Sequence, residues 1–324
     1  MSVLYEVAGL SVDLPLPGGP LSALLPGQGT RLNILKDISL TLQPGETFGL
    51  VGESGSGKTT LARAMLGLIA PSAGTLRFRG QTLGPGAVMA DLRCGVAMMF
   101  QDPVASLSPR MRVGDLVTEP LVIHRRTMPD RAARAGELLA HVGLAPELAA
   151  RYPHELSGGQ ARRVCVARAL ALNPALVIAD EPTAGLDVSV QGEVLNLLAD
   201  LKRDAGVSFV IITHNLAMIR HTAERIAILY LGRLVETGPT RAVFAAPAHP
   251  YTASLIASEP NPDPRKRRAD LAIKGEIPSL LRRPGGCEFH TRCPRVLPQC
   301  RTLAPLLREI APGRMVRCHL DPDQ

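Results

Sequence analysis

"ETFGLVGESGSGKTTLARAMLGLI", Glu46–Ile69, is the stretch from which the fold of this chain can be read. A β-like run, Glu46–Val51, feeds a glycine loop, and helix formers follow from Thr60 to Ile69. Gly52–Thr59 satisfies G-x-x-x-x-G-K-[ST] in full, in the strand–loop–helix context that gives this pattern meaning. Glycines let a backbone curl round a phosphate with successive N–H groups pointing inward. The helix N-terminus that follows favours an anion. Lys58 is expected to reach the β- and γ-phosphates, and the Thr59 hydroxyl to ligate Mg²⁺.

Outward from this loop, strands and helices alternate. Gly95–Phe100 ("GVAMMF"), Pro174–Pro182 ("PALVIADEP") and Val207–His214 ("VSFVIITH") read as strands, the last two apolar on both faces as in a buried parallel sheet. Between them, Gln160–Leu172 and Gln191–Gly206 carry helical periodicity. The pattern is α/β and doubly wound. In such sheets ligands bind at the C-terminal ends of strands. Asp180 and Glu181 stand at such an end. Asp180 is expected to hold Mg²⁺ through its water shell, and Glu181 to polarise an attacking water beside the γ-phosphate. Gln101 and His214 end two other strands, where they can meet metal, water or γ-phosphate.

Composition sets bounds. The 324 residues allow one large or two unequal domains. Aromatics make up 3%, with no Trp, so stacking bases along a single strand lacks its usual material. Of the net charge of +7, +6 falls after Pro260, where 13 Lys/Arg face 7 Asp/Glu. That basic tail fits a solvated surface, a membrane face, a partner or nucleic acid. No secretory signal and no charge-free run of 18 apolar residues is present, so the expected place is the cytosol or the cytosolic side of a membrane. Asp13–Thr30 reads as a Pro/Gly-rich loop in an N-terminal β region, and Glu259–Arg268 ("EPNPDPRKRR") as a linker at a domain edge.

Leu156–Gln160 ("LSGGQ") discriminates among phosphate-loop proteins. The run Glu155–Asp187, "ELSGGQARRVCVARALALNPALVIADEPTAGLD", resembles the signature region of ABC ATPases. The resemblance covers roughly Val3–Ala245, with five motifs in matching order and spacing. It implies a P-loop ABC-type nucleotide-binding domain: a RecA-like core, an antiparallel β region and a helical subdomain. It implies ATP binding by Gly52, Glu53, Ser54, Gly55, Ser56, Gly57, Lys58, Thr59 and Thr60. Thr59, Gln101 and Asp180 would serve Mg²⁺, and Glu181, Gln101 and His214 catalysis. Ser157, Gly158, Gly159, Gln160 and Asp187 would complete the site of an opposing cassette. A single cassette thus implies a second one, a copy or a paralogue. Phe100–Leu121, His249–Ser258 and the tail ending in "VRCHL" are similar to the oligopeptide/dipeptide/nickel importer branch. That branch implies two integral-membrane permease subunits docking near Gln101–Ser157, an extracytoplasmic solute-binding protein acting indirectly, no nucleic acid, and a peripheral place on the cytoplasmic face of the inner membrane. The expected domains are a cassette, 1–246, and a small cysteine-containing extension, 247–324.

Two departures matter. Leu14 occupies the position where relatives stack an aromatic on adenine, and Ala184-Gly185 replaces the usual Ser-Ala before Asp187. The extension gathers Cys287, Cys293, Cys300 and Cys318, four of the six cysteines. Their spacing is not that of a zinc ribbon. A [4Fe–4S] cluster tolerates it, and structural zinc or spare thiols stay open. Arg292, Arg295, Arg301 and Arg317 are expected to lower the thiol pKa values. Cys94, read in a strand, and Cys165, read in a helix, are expected to be small core residues. Two other functions compete with import. A soluble ABC protein on ribosomes or DNA usually carries two fused cassettes or a long coiled coil, and the roughly 100 residues between Lys58 and Ser157 leave no room for the latter. A non-catalytic module would lack Glu181 or His214.

Overall fold

The runs read as strands in the sequence become strands in the computed structural model, which describes residues 3–15, 31–84, 86–259 and 275–321. Most of the expected N-terminal loop and of the charged linker lies outside the described residues. The N-terminal part gives β1 (Tyr5–Pro15), β2 (Arg31–Leu42), β3 (Thr47–Val51), α1 (Lys58–Met65), β4 (Ala73–Phe78) and β5 (Gln81–Thr82). The middle gives α2 (Ala87–Gly95), β6 (Val96–Met99), α3 (Pro103–Ser106), α4 (Val113–Ile123), α5 (Arg131–Ala140), α6 (Gly158–Leu170), β7 (Leu176–Asp180), α7 (Val188–Ala205) and β8 (Ser208–Thr213). Then come α8 (Leu216–Thr222), β9 (Arg225–Tyr230), β10 (Arg233–Pro239), α9 (Thr240–Ala245), α10 (Pro250–Ala257), β11 (Arg308–Ala311) and β12 (Arg314–Val316).

The chain divides into two compact units. The first holds Gln43–Thr47 and Gly84–Ile212. Its strands run parallel in the order β8-β7-β6, registered Leu176↔Ser208 and Val96↔Leu176. Every residue of β7 is buried, which is why "LVIAD" needs no polar face. Helix α5 buries one stripe, Ala135, Leu138 and Leu139, whereas α6 buries residues round much of its circumference, Ala161, Arg162, Val164, Val166 and Ala167. Cys94 lies in α2 rather than in the expected strand, because the helix runs on to Gly95 before β6 begins.

The second unit holds Val3–Leu42, Phe48–Leu83 and Thr213–Gln324. An antiparallel sheet runs β2-β1-β4-β5. A separate ladder sets β3 parallel to β9, with β10, β12 and β11 following antiparallel. Phe48, Leu50 and Val51 of β3 are about 1% exposed, so each contributes about 2 kcal/mol of apolar burial and anchors the loop that follows. The C-terminal extension thus adds strands to the ladder that carries the phosphate loop, through Glu236↔Val316 and Thr237↔Met315. Val316, Cys318 and Leu320 pack there with Ala248, Leu297 and Ile310.

Candidate nucleotide site

In the second unit the phosphate loop leaves the buried strand β3 and enters α1, whose N-cap Gly57 has φ +100°. Gly55 at φ +76° also needs the left-handed region that glycine adopts without strain. Gly52 is required for a different reason: a Cβ there would collide with the Leu229 carbonyl and lie 2.7 Å from Ser56 Oγ. Lys58 Nζ donates to the Gly52 and Glu53 carbonyls at 2.6 and 2.9 Å. It thus spans the loop whose residues Ser54 and Gly55 are exposed. Gly232 N–H donates to Ser56 O at 2.9 Å and fixes the loop from β9–β10. His214 is exposed just past β8, and Asn215 caps α8 by accepting from Met218 N–H at 3.1 Å.

The first unit carries the other motifs. Asp180, 6% exposed, ends β7. Glu181 follows at φ +49°, a left-handed conformation that costs a non-glycine residue about 1 kcal/mol. Its N–H donates to Ile212 O at 2.8 Å, and its own carbonyl accepts from Ala184 N–H. Gln101 is exposed after β6. Ser157 caps α6: its Oγ accepts from Gln160 N–H at 3.3 Å, and Gln160 Oε1 accepts from Ser157 N–H at 3.0 Å. This reciprocal box stabilises the helix start by about 1 kcal/mol. It also leaves Gly158 exposed with nothing within 4 Å of a would-be Cβ. Asp187 caps α7 through Val190 N–H at 3.0 Å. The structure brings Ser157–Gln160 and Gly185–Asp187 into one cleft of about 570 Å³. An exposed helix N-terminus beside small residues suits an anion.

Sequence reasoning missed Arg162. It is 5% exposed, and its guanidinium donates to the carbonyls of Glu181 (3.3 Å), Pro182 and Ala184 (2.9 Å). It ties the signature helix to the turn after Asp180. Nothing in the local sequence signals this, because the acceptors are backbone groups about twenty residues away. Tyr5, at 0% exposure, donates to Met65 O at 2.6 Å and is committed to the core. Leu14, half-buried in β1, remains the residue at the expected adenine-covering position.

The tail departs from expectation. Burial pushes the Cys287 thiol up to about 12 and raises those of Cys293 and Cys318 as well. Of the arginines expected to lower them, Arg292 pairs with Glu53 at 2.7 Å and Arg317 with Asp37 at 2.9 Å, while Arg295 does pull on Cys293 but less than burial pushes. Among the described residues no group of three or more His, Cys, Asp or Glu is arranged to hold a metal ion, so the [4Fe–4S] expectation finds no support. Cys94 and Cys165 are half-buried; Cys94 Sγ lies 3.2 Å from His124 Nδ1, and Cys165 Sγ 3.4 Å from Ser106 Oγ.

The chain is similar to known proteins along most of its length. Residues 35–184 match the family model described as ABC transporter, and residues 235–300 the one described as oligopeptide/dipeptide transporter, C-terminal region. A Sinorhizobium fredii protein named a probable peptide ABC transporter ATP-binding protein is 44% identical, over 98% of this chain and 90% of its own. The Bacillus subtilis oligopeptide transport ATP-binding protein AppF is 43% identical, over 87% of this chain and 88% of its own. The dimeric ATP-binding cassette MJ0796, solved in a post-hydrolysis state with ADP and Pi, is 28% identical and superposes with a TM-score of 0.63 over 73% of this chain and 99% of its own.

Proposed function

The chain belongs to the ABC transporter family and is an ATPase of its peptide-import branch, and from that premise we propose how its residues divide the work. It is the ATP-hydrolysing subunit that energises a peptide importer through two separate integral-membrane permeases. The phosphate-loop N–H groups and Lys58 bind the β- and γ-phosphates. Thr59, Gln101 and Asp180 are all-oxygen donors, a set that fits a hard cation such as Mg²⁺. When bound, Mg²⁺ supplies charge neutralisation between the phosphates. Glu181 takes a proton from the attacking water, oriented with His214. Ser157–Gln160 and Asp187 face the nucleotide of a second cassette, and the exposed N-terminus of α6 stabilises charge developing on its γ-phosphate.

The observation that carries this reading is one chain holding a complete phosphate loop and an exposed signature-helix N-terminus, in a sequence 44% identical to a peptide-transport relative over 98% of its length. Among the described residues no helix is long and apolar enough to cross a membrane. Phe100, Val122 and Ile123 are 50%, 49% and 67% exposed on the segment expected to receive permease helices. Exposed large apolar groups of this kind mark interaction surfaces. The division into a cassette, 1–246, and an extension, 247–324, belongs to the same proposal, as does a peripheral place on the cytoplasmic face of the membrane. The tail thiols have no role in it; iron content of anaerobically purified protein tests them directly.

Affinity purification of the full chain from its own cells tests the assignment. The expected result is co-purification of two integral-membrane subunits and a cassette partner or second copy. Recovery of ribosomes or DNA instead would overturn it.

A further inference from the structure

The phosphate loop contains an acid, Glu53, at its second position. A carboxylate beside a phosphate site opposes the anion that the loop binds. In this chain a residue of the C-terminal extension answers it. Arg292 Nη1 and Nη2 lie 2.7 and 3.0 Å from Glu53 Oε2 and Oε1, a bidentate fork. Arg292 is 5% exposed and Glu53 22%, so solvent screens the pair weakly. The fork is held from behind. Arg292 Nη1 is 3.5 Å from Tyr230 Oη, and the guanidinium carbon lies 5.8 Å from that ring's centroid. Tyr251 Oη accepts the Glu53 backbone N–H at 3.0 Å, so the same residue is gripped at both main chain and side chain. Tyr230, Tyr251 and Phe289 pack with ring centroids 4.7–5.3 Å apart. All of these residues belong to one compact unit.

We propose that Arg292 is a positioning residue for nucleotide binding: acting through Glu53, it cancels the one acid of the phosphate loop and fixes the loop's first turn, so the C-terminal extension sets ATP affinity. The proposal rests on the reading of Gly52–Thr59 as the ATP site. It explains why the extension's basic residue sits on Glu53 rather than on the thiols.

The test is MgATP binding by calorimetry to the full chain, in a Glu181→Gln background that stops turnover, with melting recorded for each variant. R292Q should weaken MgATP about tenfold, because it strands a carboxylate beside the phosphates. Adding E53Q to R292Q should restore affinity to within about threefold of the parent, since the stranded charge is then gone. A packing role alone would lower melting without that rescue. Parental affinity in R292Q, or a double variant as weak as R292Q, would overturn the proposal. Should R292Q fail to fold, R292K carries the same test: a loss that E53Q relieves supports it, and no loss, or a loss that E53Q leaves in place, overturns it. K58A reports separately on the underlying site. If K58A binds MgATP like the parent, the reading of the loop itself fails.

Discussion

Leu14 stands where the family resemblance leads one to expect an aromatic ring over adenine. A leucine covers a base by apolar contact but lacks the π-face that an aromatic ring offers, and stacking on a ring contributes about 1–3 kcal/mol per base. Tyr5 cannot substitute, being fully buried and bonded to Met65 O. The chain is therefore expected to discriminate MgATP from MgGTP weakly, with Leu14→Tyr raising MgATP affinity about tenfold. Competition binding of the two nucleotides measures this, and strong ATP preference in the unaltered chain would contradict it. Lys58, Glu181 and the signature were legible in sequence because their chemistry is local: a loop, a strand end, a helix start. Arg162 and Arg292 were not, because their partners lie about twenty and 239 positions away. The latter was misassigned to the thiols for want of that contact.

At the scale of elements, the parallel strands were readable because burial on both faces leaves uniformly apolar runs. The extension was not readable in this way. Its strands β11 and β12 are four and three residues long, too short for a period to show. They exist because β10 offers an edge to pair with. The helix α10 shows what such a junction demands. Its N-cap is His249, whose Nδ1 accepts the Tyr251 N–H at 3.0 Å and must stay unprotonated to do so. Burial lowers its pKa from 6.5 to about 3. The unfolded chain therefore takes up a proton below pH 6.5 that the folded chain refuses until about 3. This group's contribution to stability is complete above the upper value and shrinks by about 1.4 kcal/mol per pH unit on acidification. His249→Asn keeps a cap acceptor and removes the titration. Denaturant unfolding should then show a flatter loss of stability between neutral pH and about pH 5. An unchanged slope would remove His249 from the account.

At the scale of the molecule, the proposal is of a cassette whose signature serves another copy. Gly158 is exposed and Ser157–Gln160 line an open cleft with Asp187, the surface that the proposal assigns to a partner cassette. Sequence reached the family through motif order, and similarity along nearly the whole chain to peptide-transport relatives agrees with it. The central claim is that hydrolysis at Glu181 powers import. Its most direct measurement is uptake of a labelled peptide into vesicles carrying the assembled transporter, with MgATP on the cassette side and Glu181→Gln as the comparison. The account predicts uptake with the unaltered chain, and a fall of at least about a hundredfold with Glu181→Gln while MgATP binding persists. Uptake that continues undiminished with Glu181→Gln would contradict it.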